Sequence, residues 1–303
     1  MGIRLYTEPV LEKPVLVAGW PGIGNIGLIA VDTLRRALVA EEFGEIEPWD
    51  FFYPKGIVIR DGELESLSFP SNKFYFKKTE KRDLIFFIGE EQPTDLGRAY
   101  AEGQKAYHMA SLVLDVAQRF GCQRAYTSGA AVAPIHHTMR PRVWGVPNME
   151  TLIDEVRACE NTILMSDVEG RGGRGNITGL NGLLLGAAKK KGMEAICVMG
   201  EIPIYLQGLS LPYPKASKSV LEVLTGILGV SIDMEEIAVA VERSEMEIQQ
   251  LYERFPPEIR EQLEKLKYVT YARPVEPGPI TEDDKKKILE EVDKFFRRET
   301  KGD

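Results

Sequence analysis

The chain reads VLVAGWPGIGNIG over residues 15–27, and a helical apolar pattern follows over residues 28–38. A short apolar run that breaks at Gly-Trp-Pro-Gly and then turns helical predicts a strand, a tight turn and a helix start. Such a turn lets the backbone approach a ligand or a partner closely. The free N–H groups at the helix start also favour anions.

Gly22, Gly24 and Gly27 in this stretch fit the G-x-G-x-x-G fingerprint of dinucleotide-binding proteins. That fingerprint requires a second strand about 20 residues further on, which ends in an acidic residue that binds the ribose. Residues 39–48 contain acidic side chains but no run of Val and Ile that would place one at a strand end. We therefore favour the alternative, in which the glycines let the first helix pack tightly on the sheet while the loop lines a crevice.

Strand-like runs alternate with helical patterns, which indicates an α/β layered domain. Asp61-Gly62 between two short apolar runs predicts a β-hairpin, so a mixed sheet is favoured over a wholly parallel one. The predicted strands cover residues 15–18, 56–60, 73–77, 84–89, 124–128, 162–165 and 195–199, and the helices between them cover 28–38, 94–120 and 176–190.

The last third of the chain reads as helical. Helical patterns cover residues 215–228, 233–254, 258–267 and, after a proline-rich stretch, 282–298. These patterns divide the chain into an α/β domain over residues 1–230, a helical extension over 231–271, and a proline-rich linker with a terminal amphipathic helix over 272–303. One amphipathic helix cannot bury its apolar stripe alone, so we expect it to dock on its own domain, a neighbouring protomer or another protein.

The 303 residues carry a formal net charge of −8, and this acidic balance makes a nucleic-acid partner unexpected. Three scattered cysteines without C-x-x-C spacing predict buried thiols in a reducing compartment rather than a disulfide framework or a zinc site. We expect no signal peptide, because charged and polar residues interrupt the first segment, and no apolar run reaches the length of a membrane span. We expect a cytoplasmic protein that has no membrane partner.

Ser128 and the pair His136-His137 resemble a serine hydrolase only superficially, because Tyr126 occupies the position where the nucleophile elbow needs a glycine. The two adjacent histidines would point to opposite faces of a strand, and His108 lies on a distant helix. We therefore expect no catalytic residue, no metal and no cofactor.

Residues 167–176 place Arg171 and Arg174 among four glycines, between a predicted strand and a helix start. Backbone N–H groups and guanidinium forks in such a loop could hold a phosphate or a carboxylate. The loop lacks the Lys-Ser/Thr ending of a P-loop, so hydrolysis of nucleoside triphosphates is not supported. A surface loop whose arginines contact a partner's carboxylates fits the same pattern equally well.

Ligands of open α/β sheets bind beyond the carboxyl ends of the strands, and Glu90 and Glu201 each follow a predicted strand. These residues would share one crevice with the first turn and the glycine-arginine loop, for contact with a ligand or a protein partner. The candidate contact residues are Gly22, Gly24, Asn25, Gly27, Glu90, Arg140, Arg171, Arg174 and Glu201.

Further motifs follow the opening GWPGIGNIG along the chain. They are PIHHTMRP at residues 134–141, Asn148, ITGLNGLL at 177–184, EIPIY at 201–205 and PKA at 214–216. Together these motifs, over roughly residues 10–235, resemble the PAC2 family of proteasome assembly chaperone 2-like proteins. The resemblance implies a phosphorylase/hydrolase-like three-layer α/β fold with a central mixed sheet. It also implies homo-oligomerisation, with a trimer as one candidate, and an archaeal-type chaperone role on proteasome α subunits.

Family members that engage proteasome α rings directly can end in a hydrophobic-Tyr-X tail, whereas this chain has Gly302 at the tyrosine position. We expect a non-enzymatic binding protein that acts on proteasome α subunits or on other protein partners. The alternative is an enzyme or sensor that binds an anionic small molecule, a nucleoside or a phosphorylated metabolite, in the crevice. In that case Gly24, Asn25 and the two loop arginines would hold the anion, and Glu90 or Glu201 would act as acid/base.

Overall fold

A computed structural model describes residues 2–94, 103–168 and 175–269. The strands within these ranges are β1 (Ile3–Leu5), β2 (Val15–Gly19), β3 (Glu41–Ile46), β4 (Gly56–Arg60), β5 (Glu63–Ser68), β6 (Asn72–Lys77), β7 (Leu84–Gly89), β8 (Arg124–Ala133), β9 (Val143–Pro147), β10 (Thr162–Leu164) and β11 (Glu194–Pro203). Nine of these strands form one sheet in the order β1-β3-β6-β7-β2-β8-β11-β9-β10, and β4 pairs with β5 in a separate hairpin.

The centre of the sheet is parallel and its margins are mixed. β7, β2, β8 and β11 run in the same direction, whereas β6 and β9 pair antiparallel to the outer members of this group. All five residues of β2 are buried, as expected for a strand that is covered on both faces. The carboxyl ends of the four parallel strands therefore meet at a single edge of the sheet.

Helices cover both faces of this sheet. They are α1 (Ile26–Ala37), α2 (Gly103–Arg119), α3 (Ile153–Ala158), α4 (Gly179–Lys190), α5 (Pro214–Leu228), α6 (Glu235–Glu253) and α7 (Pro257–Glu264). Leu16 and Ala18 of β2 join the core under α2 and α4, while Val15 and Val17 join the core under α1 and α5. The predicted α/β fold, with a central mixed sheet between helices, is confirmed.

The strand that follows α1 settles the meaning of the glycine fingerprint. In dinucleotide-binding folds this strand pairs directly with the first one and brings its acidic end to the ribose. Here the strand after α1 is β3, which pairs with β1 and β6, and both neighbours of β2 are other strands, β7 and β8. The dinucleotide-binding arrangement is therefore absent from these strands.

The hairpin predicted at Asp61-Gly62 forms between β4 and β5. Asp61 (φ 52°) and Gly62 (φ 86°) both have the positive φ angles that a type I′ turn requires. The hairpin does not extend the central sheet, however, and it pairs only with itself. The sequence patterns missed β1, β3 and β9, because β1 is short, β3 is glutamate-rich, and β9 contains a glycine and ends at a proline.

Beyond α5 the described chain is helical, as predicted. α6 packs along α5, and its residues Ile237 and Ile248 belong to the core under α1 and α5. The predicted proline-rich linker and the terminal helix over residues 282–298 lie outside the described residues. No helix in the described part of the chain is long and apolar enough to cross a membrane.

Candidate functional site

An open cleft of about 660 Å³ lies at the carboxyl ends of β2 and β7. It is bordered by the turn after β2, by the loop after β7 and by residues 207–211. Four of the predicted contact residues, Gly22, Gly24, Asn25 and Glu90, line it together. The strand order explains this juxtaposition, because β2 and β7 are neighbouring parallel strands whose loops leave the sheet on the same side.

The turn after β2 has a rigid geometry. Gly24 (φ 60°) and Asn25 (φ 50°) lie in the left-handed region, which glycine and asparagine adopt most readily. The Gly24 carbonyl accepts a hydrogen bond from the Tyr213 N–H (2.8 Å), and a Cβ on Gly24 would lie 3.0 Å from the Tyr213 Cβ. Gly24 therefore fixes the turn to the start of α5, and its small size is required by packing as well as by φ.

Gln92, which the sequence patterns did not single out, joins three elements of the cleft. Its Nε2 donates a hydrogen bond to the Pro21 carbonyl (2.5 Å), and its Oε1 accepts one from the Leu180 N–H (2.9 Å). The side chain therefore satisfies a free N–H group in the first turn of α4 and holds the β2 turn against it. The only sequence signal for this role is its position directly after the β7 strand.

The described lining of the cleft is electronegative. The Glu90 carboxylate accepts a hydrogen bond from the Ser71 N–H (2.9 Å), and Glu91 forms an ion pair with Lys55. The lining contains these two carboxylates and, within the described ranges, no lysine or arginine. Arg171 and Arg174, which the anion-binding alternative requires, lie outside the described residues. The described surface by itself therefore fits a neutral or cationic group better than an anion.

A smaller cavity of about 230 Å³ lies between the β2 turn, the ends of β8 and β11, and α4. Asn181 of α4 lines it and is only 7% exposed, yet its Oδ1 has no hydrogen-bond partner. Buried amide oxygens are normally satisfied by protein or by ordered water. The cavity therefore offers an unsatisfied acceptor for an N–H or O–H group, in a lining that mixes apolar side chains with the polar Gln92, Asn176 and Thr178.

Two other predicted contact residues serve other parts of the molecule. Gly27 lies in the first turn of α1, where a Cβ would be only 2.2 Å from the Ser128 carbonyl oxygen on β8. Arg140 pairs with Glu222 (2.9 Å) and lines a second cleft of about 740 Å³, which also contains Arg124. The structure thus places Arg140 away from the lining of the first cleft.

Glu201 is buried within the sheet. Its Oε1 accepts a hydrogen bond from the Trp144 Nε1 (2.7 Å), and its Oε2 accepts one from the Arg142 N–H (2.9 Å). The Arg142 guanidinium lies 3.4 Å from the same carboxylate and neutralises it. Both oxygens are occupied in holding β9 against β11, and Glu201 does not border the cleft.

His136 and His137 lie on a loop after β8, not on a strand, so the expectation that they point to opposite faces is wrong. Their rings are 4.2 Å apart and Tyr252 of α6 packs against both. His137 makes hydrogen bonds through Nδ1 to the Tyr205 hydroxyl (2.7 Å) and through Nε2 to the Gln249 Oε1 (3.3 Å). Burial lowers the pKa of His137, and burial together with the adjacent His137 lowers the pKa of His136 to about 4.

The described residues offer little to catalysis. Ser128 is buried in β8, and its Oγ has no hydrogen-bond partner, so no described base activates it. Within the three described ranges, no group of three or more His, Cys, Asp or Glu side chains could hold a metal ion. The histidine pair instead joins the β8 loop to α6, and we interpret it as a packing element.

Comparison with known proteins places these features in a family. The PAC2 family model matches residues 16–252. An uncharacterized protein of Methanocaldococcus jannaschii is 31% identical over 232 residues, which cover 76% of this chain and 79% of that protein. The crystal structure of Pyrococcus furiosus PbaB, an archaeal proteasome activator, is similar with a TM-score of 0.68 and 30% identity, covering 82% of this chain and 97% of PbaB. Pyrococcus furiosus PbaA, an archaeal homolog of proteasome-assembly chaperone, shares the fold with a TM-score of 0.61 and 22% identity, covering 88% of this chain and 97% of PbaA. The chain therefore belongs to the PAC2 family.

Proposed function

We propose that this chain is a non-enzymatic binding protein, a proteasome-assembly-chaperone homologue that acts in the cytoplasm on proteasome α subunits or on other protein partners. The observation that carries the proposal is the likeness to PbaB, which extends over most of both chains. The site supports it as well, because the described residues around the cleft form a rigid turn with a polar rim and no activated nucleophile. We also propose that the protein is a homo-oligomer.

The rim of the cleft is the surface we assign to partner contact. Glu90 gives it a negative charge, Glu91 is paired with Lys55, and residues 207–211 also border it. Hydrogen bonds from Tyr213 and Gln92 already hold the β2 turn of this rim, so little conformational entropy is lost in that turn on binding. A partner that presents lysine or arginine side chains would be attracted to it, and the association would weaken as salt screens the charges.

Native mass spectrometry of the protein, gently purified from its own host, tests this function. We expect proteasome α subunits to accompany the chain at a fixed stoichiometry. The double variant Glu90→Gln with Glu91→Gln should retain less of them than the wild type, whereas Glu41→Gln with Glu47→Gln, two exposed acids on another part of the surface, should retain as much. Recovery of the chain without any protein partner, together with turnover of a metabolite, would contradict the proposal.

Small-molecule binding in the inner cavity is a second candidate function. The buried, unpartnered Asn181 Oδ1 favours it, because a ligand N–H or O–H would satisfy that oxygen. The charge of the described lining favours a neutral compound such as a nucleoside over a phosphorylated one. A thermal-shift series with nucleosides and nucleotides tests it. Stabilisation of the wild type that disappears in Asn181→Leu would support the candidate, and no shift with any compound would refute it.

A further inference from the structure

The hairpin of β4 and β5 presents one apolar face to solvent. Cross-strand neighbours share a face of a two-stranded sheet, and the register pairs Ile57 with Leu67 and Ile59 with Leu64. A register shift between Val58 and Ile59 leaves Glu65 unpaired, and it is this bulge that brings Leu64 and Leu67, three residues apart, to the same face. The four side chains are 57%, 42%, 63% and 65% exposed in that order.

The rest of the described chain does not cover this face. The extensive contacts of β4 and β5 are with each other, and no other described element packs on them to a comparable extent. An isolated two-stranded hairpin is at best marginally stable in water. An apolar surface from outside the described part of this protomer would therefore stabilise the hairpin by covering this face.

The polar side chains of the hairpin leave the apolar face free. Arg60 pairs with Glu63 across the strands, and Val58 with Ser66, so these residues occupy the opposite face. Arg60 also forms an ion pair with Glu65 at 3.1 Å. A partner could therefore cover the four apolar side chains without desolvating a charge, which would otherwise weaken the association.

The size and character of the surface favour a second copy of this chain. The four side chains expose on the order of 400 Å² of apolar surface, a size that marks an interaction site. Exposed Trp49 and Tyr53 precede the hairpin in the chain, and Trp49 packs on Phe69 directly after β5, so aromatic surface adjoins the hairpin base. A stable interface buries about 800 Å² per partner, and interfaces between identical subunits are the more apolar class. A second copy, unlike an unrelated protein, is present in fixed proportion whenever the chain is made.

We propose that the apolar face of the β4–β5 hairpin is the surface through which two copies of this chain associate. The proposal rests on the homo-oligomer of the proposed function and assigns it a surface. It makes the hairpin an assembly element that lies outside the central sheet. None of the four apolar residues lines the cleft, and the hairpin base meets the cleft rim at the Lys55–Glu91 ion pair.

Sedimentation velocity of the full chain tests this assignment with three variants. Ile59→Thr with Leu64→Thr removes apolar surface while keeping residues that favour strands. Val58→Thr on the opposite face of the hairpin and Val239→Thr, an exposed residue of α6, are the matched controls. Circular dichroism establishes that each variant is folded. We expect the double variant to associate more weakly, with a dissociation constant at least tenfold higher than that of the wild type. Both controls should have the dissociation constant of the wild type.

The outcomes separate this inference from the proposed function. A double variant that associates as tightly as the wild type would overturn the hairpin assignment alone. A wild type that is monomeric at every concentration would overturn both the assignment and the homo-oligomer. A double variant that keeps its oligomeric state but loses proteasome α subunits would also overturn the assignment, because the hairpin would then serve a different partner. Dissociation of the double variant with α-subunit binding retained would support it.

Discussion

Replacement of Gly27 by alanine tests the packing role of the glycine-rich turn most severely. The added Cβ would lie 2.2 Å from the Ser128 carbonyl oxygen and 2.5 Å from its carbon, and both are backbone atoms of a central strand. α1 would have to move by about 1 Å to relieve the overlap, and overpacking of this kind costs about 3 kcal/mol. Alanine regains about 1 kcal/mol of helix propensity over glycine. We therefore expect a net loss of about 2 kcal/mol in the free energy of unfolding.

Gly22→Ala is the matched control within the same motif. No atom lies within 4 Å of a Cβ built on Gly22, and its φ of −166° is open to any residue. We expect its free energy of unfolding to stay within about 0.5 kcal/mol of the wild type. Urea denaturation followed by circular dichroism measures both variants. The reasoning would be refuted if the two variants had equal free energies of unfolding, or if Gly22→Ala were the less stable one.

Three further predictions concern polar groups that are buried or half-buried. Because the pKa of His136 is about 4 in the folded chain and about 6.5 when unfolded, the unfolded chain binds the additional proton as pH falls through this window. Between pH 6.5 and pH 4 the free energy of unfolding should therefore fall by at most about 3 kcal/mol, and by roughly 1–2 kcal/mol once solvent screening is included. Urea denaturation at a series of pH values should show a smaller fall in His136→Gln. Glu201→Leu should destabilise by about 3 kcal/mol, because the Trp144 N–H and Arg142 lose a buried partner; a loss below about 1 kcal/mol would contradict this role. Gln92→Ala should lower the free energy of unfolding by about 1 kcal/mol, because the hydrogen bonds from Gln92 to the β2 turn and to α4 are lost. Thermal unfolding measures this loss, which should be smaller in Gln207→Ala on the same rim.

The parts of the fold that the sequence predicts are those with locally repeated patterns. The apolar runs of β2, β7 and β11 are buried on both faces, so composition alone marks them. β3 reads EEFGEI and has no such run. It becomes a strand because β1 and β6 supply hydrogen bonds on both sides, and this information lies outside the segment itself.

The candidate site shows the same division. Gly22, Gly24, Asn25 and Glu90 converge because two neighbouring parallel strands end at one edge, which the α/β pattern anticipates. The same pattern predicts that Glu201 lies just beyond a strand end. β11 is longer than its apolar run suggests, however, so Glu201 lies inside the sheet. Gln92 and the histidine pair acquire their roles from contacts with α4 and α6, which lie about 90 to 110 residues away along the chain and leave no local signal.

Direct binding to proteasome α subunits is the measurement that tests the central claim. Purified full-length chain would be titrated into purified α subunits from the same host, with sedimentation velocity and native mass spectrometry recording the complexes. The proposed function predicts a complex of fixed stoichiometry that weakens as the salt concentration rises and when Glu90 and Glu91 are replaced by glutamine. Two components that sediment independently at every concentration, with no mass for a joint complex, would contradict it.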